Sequence, residues 1–274
     1  MAKSLNVLLT GASAGIGLAT ARALTDAGHH VWGTARDISR LPTLPRLHPL
    51  QMDLNQLAEL RLSFDRAVDD AGHIDVLINN AGEVINAPLE VLIGEGLRMQ
   101  LDTLFFGPVE LIGLALPHMR RRASGLIINI TSLAVQFPIP FNGGYNAAKA
   151  ALAAASEGLR LELLGTGVRV VEIQPGDVAT EILRRTHNVD VPLCGSYEPN
   201  LTRARAAEAK KEGAAIAAER VAQTILHLLN QRRPPPRVVV GNRFESYVAP
   251  IGARLLPRRA IEWSQRLLYG LRGA

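Results

Sequence analysis

Two hydrophobic periods alternate along the chain. Leu5–Thr10 is a short apolar run feeding a glycine turn, and Ile16–Ala27 carries helical spacing closed by Gly28. His30–Thr34 and Pro49–Met52 read as the next two strands. Within Asn55–Ala71, Leu57, Leu60, Phe64 and Val68 recur every three to four residues, which predicts a helix, and Ile74–Asn79 follows as a fourth strand. The pattern continues with a long helix from about Leu97 to Arg121, despite Pro108 and Pro117. A strand at Gly125–Thr131, a helix at Tyr145–Leu164 and a strand at Val168–Gln174 come next. Ala218–Asn230 reads as a helix, and Arg237–Val240 as a last strand behind three prolines.

Repeated strand–helix–strand units imply parallel strands joined by right-handed crossovers. The expected fold is α/β: one doubly wound domain over residues 1–274, with a mainly parallel, seven-stranded sheet and helices on both faces. No repeat, low-complexity tract or linker interrupts it.

Composition narrows the picture. Of the 274 residues, 47% are hydrophobic and only 4% aromatic, which suits helices packed closely on a parallel sheet better than an all-β sandwich. The single cysteine, Cys194, leaves no internal disulfide and no multi-cysteine metal site, so no metal is expected and a cytoplasmic location is the natural setting. Leu5–Leu9 is too short for a secretory signal core, and no apolar stretch approaches the ~20 residues that span a bilayer. The net charge is +5, with clusters at Arg120–Arg122, Arg232–Arg233 and Arg254–Arg259. No stacking aromatics interleave them, so they read as solvated helix ends and loops rather than a nucleic-acid surface.

Thr10-Gly11-Ala12-Ser13-Ala14-Gly15-Ile16-Gly17 lies between a predicted strand and a predicted helix. Glycines there permit a tight turn and close backbone approach to a pyrophosphate, and the helix start offers free N–H groups. The candidate cofactor residues in this loop are Gly11, Ser13, Gly15, Ile16 and Gly17. At the end of the second strand, a carboxylate would bind the ribose of NAD and a cation would pair with a 2′-phosphate. Thr34-Ala35-Arg36 puts Ala where the acid is expected and Arg36 directly after, so NADP(H) is preferred over NAD(H), although Asp37 follows. Asp53 can meet the adenine amino group, and Asn79-Asn80-Ala81-Gly82 ends the fourth strand at the carboxyl edge where ligands bind.

Tyr145 and Lys149, four positions apart at a helix start, point to one face, and Ser132 ends the preceding strand. A phenol with a reference pKa near ~10 exchanges protons poorly at neutral pH, and a neighbouring ammonium is expected to lower that value. Ser132 can hydrogen-bond a substrate oxygen while Tyr145 gives or takes the proton.

Thr10–Gly17, Asn79–Gly82, Ser132, Tyr145–Lys149 and Pro175–Thr180 together resemble the short-chain dehydrogenase/reductase pattern in order and spacing. The resemblance is strong over about residues 5–180, and overall it lies toward the hydroxysteroid and retinol dehydrogenase-like branch. It implies a Rossmann fold and an NAD(P)-dependent oxidoreductase acting on CH–OH and C=O groups. Tyr145 would be the acid/base, Ser132 the orienter and Lys149 the ribose ligand and pKa modifier. Asn80, with Ala81 and Gly82, would lie near the cofactor. Pro175, the backbone of Val178 and the hydroxyl of Thr180 would face the nicotinamide end. Leu104 stands where the family commonly carries an Asn that holds a relay water. A relay would then need another group, such as Thr103, or turnover would be slower.

By the same resemblance, a substrate lid is expected at about 181–213 and a C-terminal helical extension at about 244–274. Ile182, Leu183, Val189, Val191 and Leu193 in the lid would join an apolar wall of Val135, Phe137, Pro138, Ile139 and Phe141. Such a wall favours a hydrophobic ketone or aldehyde and its alcohol. Two other functions compete: a non-catalytic NADP-binding sensor or scaffold, and a β-ketoacyl reductase that depends on a carrier protein. A homo-oligomer, dimer or tetramer, is expected from the long helices flanking the sheet. Ala260, Ile261, Ser264, Leu267, Leu268 and Leu271 form one helical stripe near the C-terminus. The expectation is a helix packed over the cleft or a partner subunit; the competing reading is peripheral contact with an anionic membrane.

Overall fold

Strands buried on both faces favour near-continuous apolar runs, and the central strands have them apart from a few buried polar residues such as Asn79 and Asn129. The computed structural model describes residues 4–180, 187–188, 195–211, 213 and 215–273. Its main sheet contains β1 (Asn6–Leu9), β2 (His30–Ala35), β3 (Leu47–Gln51), β4 (Val76–Asn79), β5 (Gly125–Ile130), β6 (Val168–Pro175) and β7 (Arg237–Val240). The order is β7-β6-β5-β4-β1-β2-β3, and every pairing is parallel. Seven parallel strands with covering helices confirm the doubly wound α/β architecture.

Side chains alternate between two cores. Val7, Leu9, Val76, Ile78, Leu126 and Ile128 face one layer, packed under the helices Gly15–Asp26 and Ala218–Leu229. Leu8, Leu77 and Ile127 face the other, under the helices Leu57–Ala71 and Gly107–Arg121. Each fully buried leucine of this kind contributes about 1.5–3 kcal/mol. The chain runs outward from β1 to β3, then returns to β4 beside β1. That reversal opens a crevice beyond the carboxyl ends of β1 and β4.

The long helix predicted over Leu97–Arg121 begins earlier and has three parts: Glu95–Leu101, a π-turn at Asp102–Phe106, and Gly107–Arg121. Pro108 has no N–H to give Leu104, and its ring would crowd that carbonyl. Widening the preceding turn, with Gly107 N–H bonded to Asp102 O, lets the helix continue. The same device recurs at Phe244–Val248, just before Pro250. By length and composition Glu95–Arg121 could cross a membrane, but it lies along the sheet with Leu104, Leu111 and Met119 fully buried.

Gly143–Glu162 forms the helix predicted to start at Tyr145. A helix at Glu198–Lys211 occupies the described part of the expected lid. Ile182, Leu183, Val189, Val191 and Leu193 lie outside the described residues. The extension contains two helices, Ala249–Leu255 and Arg258–Leu268. Gly270, at φ +61°, turns the chain just past the second helix, so Leu271 falls off the predicted stripe.

Candidate active site

Three glycines build the cradle at the carboxyl end of β1. Gly11 and Gly15 take φ of +70° and +51°, left-handed values that suit glycine. A Cβ on Gly17 would stand 2.0 Å from the Gly11 carbonyl, and one on Gly11 would stand 2.8 Å from Ala81 Cα. The helix that follows has Ala14 at its cap, no side-chain cap and no acid in its first turn. Its N–H groups and positive end therefore suit an anion, as a dinucleotide pyrophosphate requires. Ser13 and Ile16 lie in the same turn, and Thr180 closes over it: a Cβ on Gly15 would be 3.1 Å from Thr180 Cβ. These residues fit the dinucleotide expected from the sequence.

The Asn79–Gly82 turn is lashed to that loop. Thr10 Oγ1 accepts from the backbone N–H of Asn80 and of Ala81, at 2.9 and 3.0 Å. Asn80 Nδ2 donates to the carbonyls of Thr10 and Gly11. The Asn80 amide thus braces the loop, a positioning task beyond the proximity to ribose that the sequence suggests. Asp53 caps the turn after β3, accepting from Asn55 N–H at 3.0 Å. Arg36 stands 66% exposed at the end of β2, and Glu83, a buried carboxylate, pairs with it at 3.7 Å. Sequence reasoning missed Glu83, whose one signal was its place directly after Gly82.

Ser132, buried at the end of β5, accepts from Ala134 N–H at 3.1 Å and hydrogen-bonds the Tyr145 hydroxyl. Lys149 Nζ donates to the carbonyl of Ile130 at 2.7 Å and lies 5.9 Å from the centre of the Tyr145 ring. All three predicted reactive side chains therefore meet in one place. Burial pushes the Tyr145 phenol above its ordinary value; the Ser132 hydrogen bond opposes this and the Glu208 carboxylate adds to it. Burial also lowers the Lys149 ammonium to about 8. The net direction for Tyr145 is thus upward and is set by desolvation, with Lys149 not among its causes, against the lowering expected from a neighbouring ammonium.

Leu104 is fully buried and brings no polar atom to this helix face. Thr103 does not replace the missing amide, because its hydroxyl lies 2.8 Å from Asn55 Oδ1 and 3.3 Å from Glu83 Oε1, on the Arg36 side. One turn before Leu104, Gln100 is also fully buried, and neither its Oε1 nor its Nε2 has a partner among the described residues. A Cβ on Gly144, the neighbour of Tyr145, would stand 2.3 Å from Gln100 Oε1. A polar residue on a helix gives no sequence signal of such burial.

Pro175 ends β6, and Val178–Ala179 pairs with Ile216–Ala217 to carry the chain toward the cradle. Of the five residues of the predicted apolar wall, Val135, Phe137, Ile139 and Phe141 are half-buried and Pro138 is exposed. Phe141, at φ +61°, is strained for a non-glycine residue. Arg205, from the helix Glu198–Lys211, donates to the side chain and carbonyl of Asn86, and Asn86 donates to Asn142 at the start of the Tyr145 helix. Near the far end of that helix, Glu208 Oε1 accepts from Lys211 at 3.0 Å and from the Tyr269 hydroxyl at 2.6 Å. The C-terminal segment is thereby clasped to the helix Glu198–Lys211, in a cluster that sequence alone did not disclose.

A family model described as short chain dehydrogenase matches residues 5–189. Over 270 residues the chain is 33% identical to a 3-ketodihydrosphingosine reductase of Bacteroides thetaiotaomicron, covering 97% of this chain and 98% of that protein. A solved short-chain dehydrogenase from Streptomyces avermitilis matches with a TM-score of 0.82 at 26% identity, covering 99% of this chain and all of that one. Another, from Burkholderia cenocepacia in complex with NADP, has a TM-score of 0.69 at 25% identity, covering 93% of this chain and 98% of that one. The chain belongs to the short-chain dehydrogenase family and is an NAD(P)-dependent oxidoreductase acting on carbonyl or alcohol groups.

Proposed function

We propose that this protein reduces a long-chain, hydrophobic ketone with NADPH. The observation that carries the reading is the convergence of Ser132, Tyr145 and Lys149 beside the glycine cradle and the half-buried wall of Phe137, Ile139 and Phe141. Ser132 donates to the substrate carbonyl oxygen and fixes its position, and Tyr145 delivers the proton to that oxygen as the alkoxide forms. A nicotinamide cofactor, with Gly11, Gly15 and Gly17 holding its pyrophosphate, would supply the hydride. Lys149 holds the ribose and, through its bond to Ile130 O, keeps its ammonium in place below Tyr145.

Arg36, at the end of β2, is positioned to pair with a 2′-phosphate, and the NADP complex of a relative supports the same choice. The name of the full-length relative supports a long-chain ketone substrate. A dimer or tetramer through the flanking helices fits the exposed Phe106, Val109, Leu161 and Leu164. The test is NADPH oxidation with 3-ketodihydrosphingosine, a steroid ketone, retinal and a carrier-bound β-ketoacyl thioester, each repeated with NADH. Turnover of the long-chain ketone with NADPH supports the reading. Turnover confined to the carrier-bound thioester would favour the ketoacyl reductase, and binding of NADPH without any turnover would favour the sensor.

A further inference from the structure

Among the described residues, nineteen large apolar side chains are exposed, and nine of them fall between residues 244 and 268. Tyr247, Ile251 and Leu255 follow one another at helical spacing, with Leu255 77% exposed; beyond Pro257, Trp263 and Leu267 repeat that spacing. Ile261 is the one buried side chain of the helix Arg258–Leu268 and roots it to the body. The sequence reading of this helix as one packed over the cleft thus describes only the Ile261 edge; Trp263, Leu267 and Leu268 face solvent.

From residue 243 to 272 there are six exposed arginines and one exposed acid, Glu262. None of the six arginines is in an ion pair among the described residues. We infer that this extension is a docking surface for an anionic phospholipid bilayer. Charge decides the occupant. A two-fold self-interface would set arginines against arginines with almost no acid to answer them, whereas phosphate headgroups answer every one. Exposed Trp and Tyr beside aliphatic side chains and flanking arginines are the composition of a helix lying in the headgroup layer.

The surface also borders the reaction site. Tyr269 is clasped by Glu208 and Lys211 on the helix Glu198–Lys211, and Glu208 acts electrostatically on Tyr145. Arg258 reaches the carbonyl of Gln136, next to the apolar wall. A bilayer held here would lie next to the residues of that wall. The inference rests on the surface itself and holds whatever ketone the site reduces.

The test uses the full chain with phosphatidylcholine vesicles and with mixed phosphatidylcholine–phosphatidylglycerol vesicles. The chain has two tryptophans, and Trp32 is buried, so a fluorescence change reports on Trp263. The expected result is co-sedimentation with the anionic vesicles, weakened by salt, with a blue shift of Trp263. Arg254→Gln with Arg259→Gln should weaken that binding about tenfold or more, and Trp263→Ser with Leu267→Ser should abolish the shift. Both double variants should keep wild-type turnover of a small soluble ketone, which separates this result from failure of the catalytic reading. Equal binding to neutral vesicles, no binding to either, or a protein dimer that Trp263→Ser dissociates would each overturn the inference.

Discussion

Lys149 Nζ donates a 2.7 Å hydrogen bond to the carbonyl of Ile130, two residues before Ser132, so one β-strand end positions both the ammonium and the serine. Burial holds that ammonium at about 8, below its ordinary 10.5. Reduction should therefore fall as pH rises through about 8, and Lys149→Met should flatten that limb at much lower activity. Stability should move the opposite way. Between about 8 and 10.5 the unfolded chain binds the proton and the folded one does not, so this group's contribution rises with pH there. Denaturant midpoints of wild type and Lys149→Met across that window check the sign.

Arg36 and Glu83 set up a cofactor test. Arg36→Ala should raise the KM for NADPH roughly ten- to hundredfold, the loss of one charge-assisted hydrogen bond, and leave the KM for NADH unchanged. Glu83→Gln removes the counter-charge 3.7 Å away and should lower the KM for NADPH. Equal effects on both cofactors would mean that Arg36 does not read the phosphate.

Gly17→Ala places a methyl 2.0 Å from the Gly11 carbonyl and 2.6 Å from Asn80 Nδ2. The loop must shift, at a cost of about 1–3 kcal/mol. Titration calorimetry should show cofactor binding lost, alongside a lower Tm.

Gln100 is a buried amide with no partner among the described residues, an arrangement that folding alone does not favour. Gln100→Met should stabilise the protein by about 1 kcal/mol or more and lower kcat, since the amide sits against Gly144 beside Tyr145. A rise in Tm with unchanged kcat would show that the amide has no part in turnover.

Glu172 is fully buried and held by Arg237 Nε at 2.9 Å and by Thr131 and Gln174. Arg237→Met leaves that carboxylate without its cation and should cost about 3–5 kcal/mol, read by chemical denaturation.

The parts of the site legible in the sequence are those made by neighbours along the chain. Gly11–Gly17 and the Tyr145–Lys149 pair are local, and their strand–turn–helix setting shows in the hydrophobic pattern. What stayed hidden is made by contacts across the fold. Glu83 meets Arg36 because the strand order places β2 and β4 on either side of β1, which no local pattern records. The helix Glu198–Lys211 has weak periodicity because only Leu201 and Ala204 among its residues are buried. The π-turns before Pro108 and Pro250 follow from missing N–H groups, which bend a helix that the periodicity reads as uniform. The upward Tyr145 shift depends on how dry the site is, and no residue spacing records that.

The most direct test of the central claim is single-turnover reduction of a long-chain ketone by NADPH-loaded protein, wild type beside Tyr145→Phe. Ser132 and Lys149 are intact in the variant, so binding should persist while the chemical step slows by roughly 10²–10⁴-fold. An equal rate in the variant would contradict the account, because the proton would then come from another group.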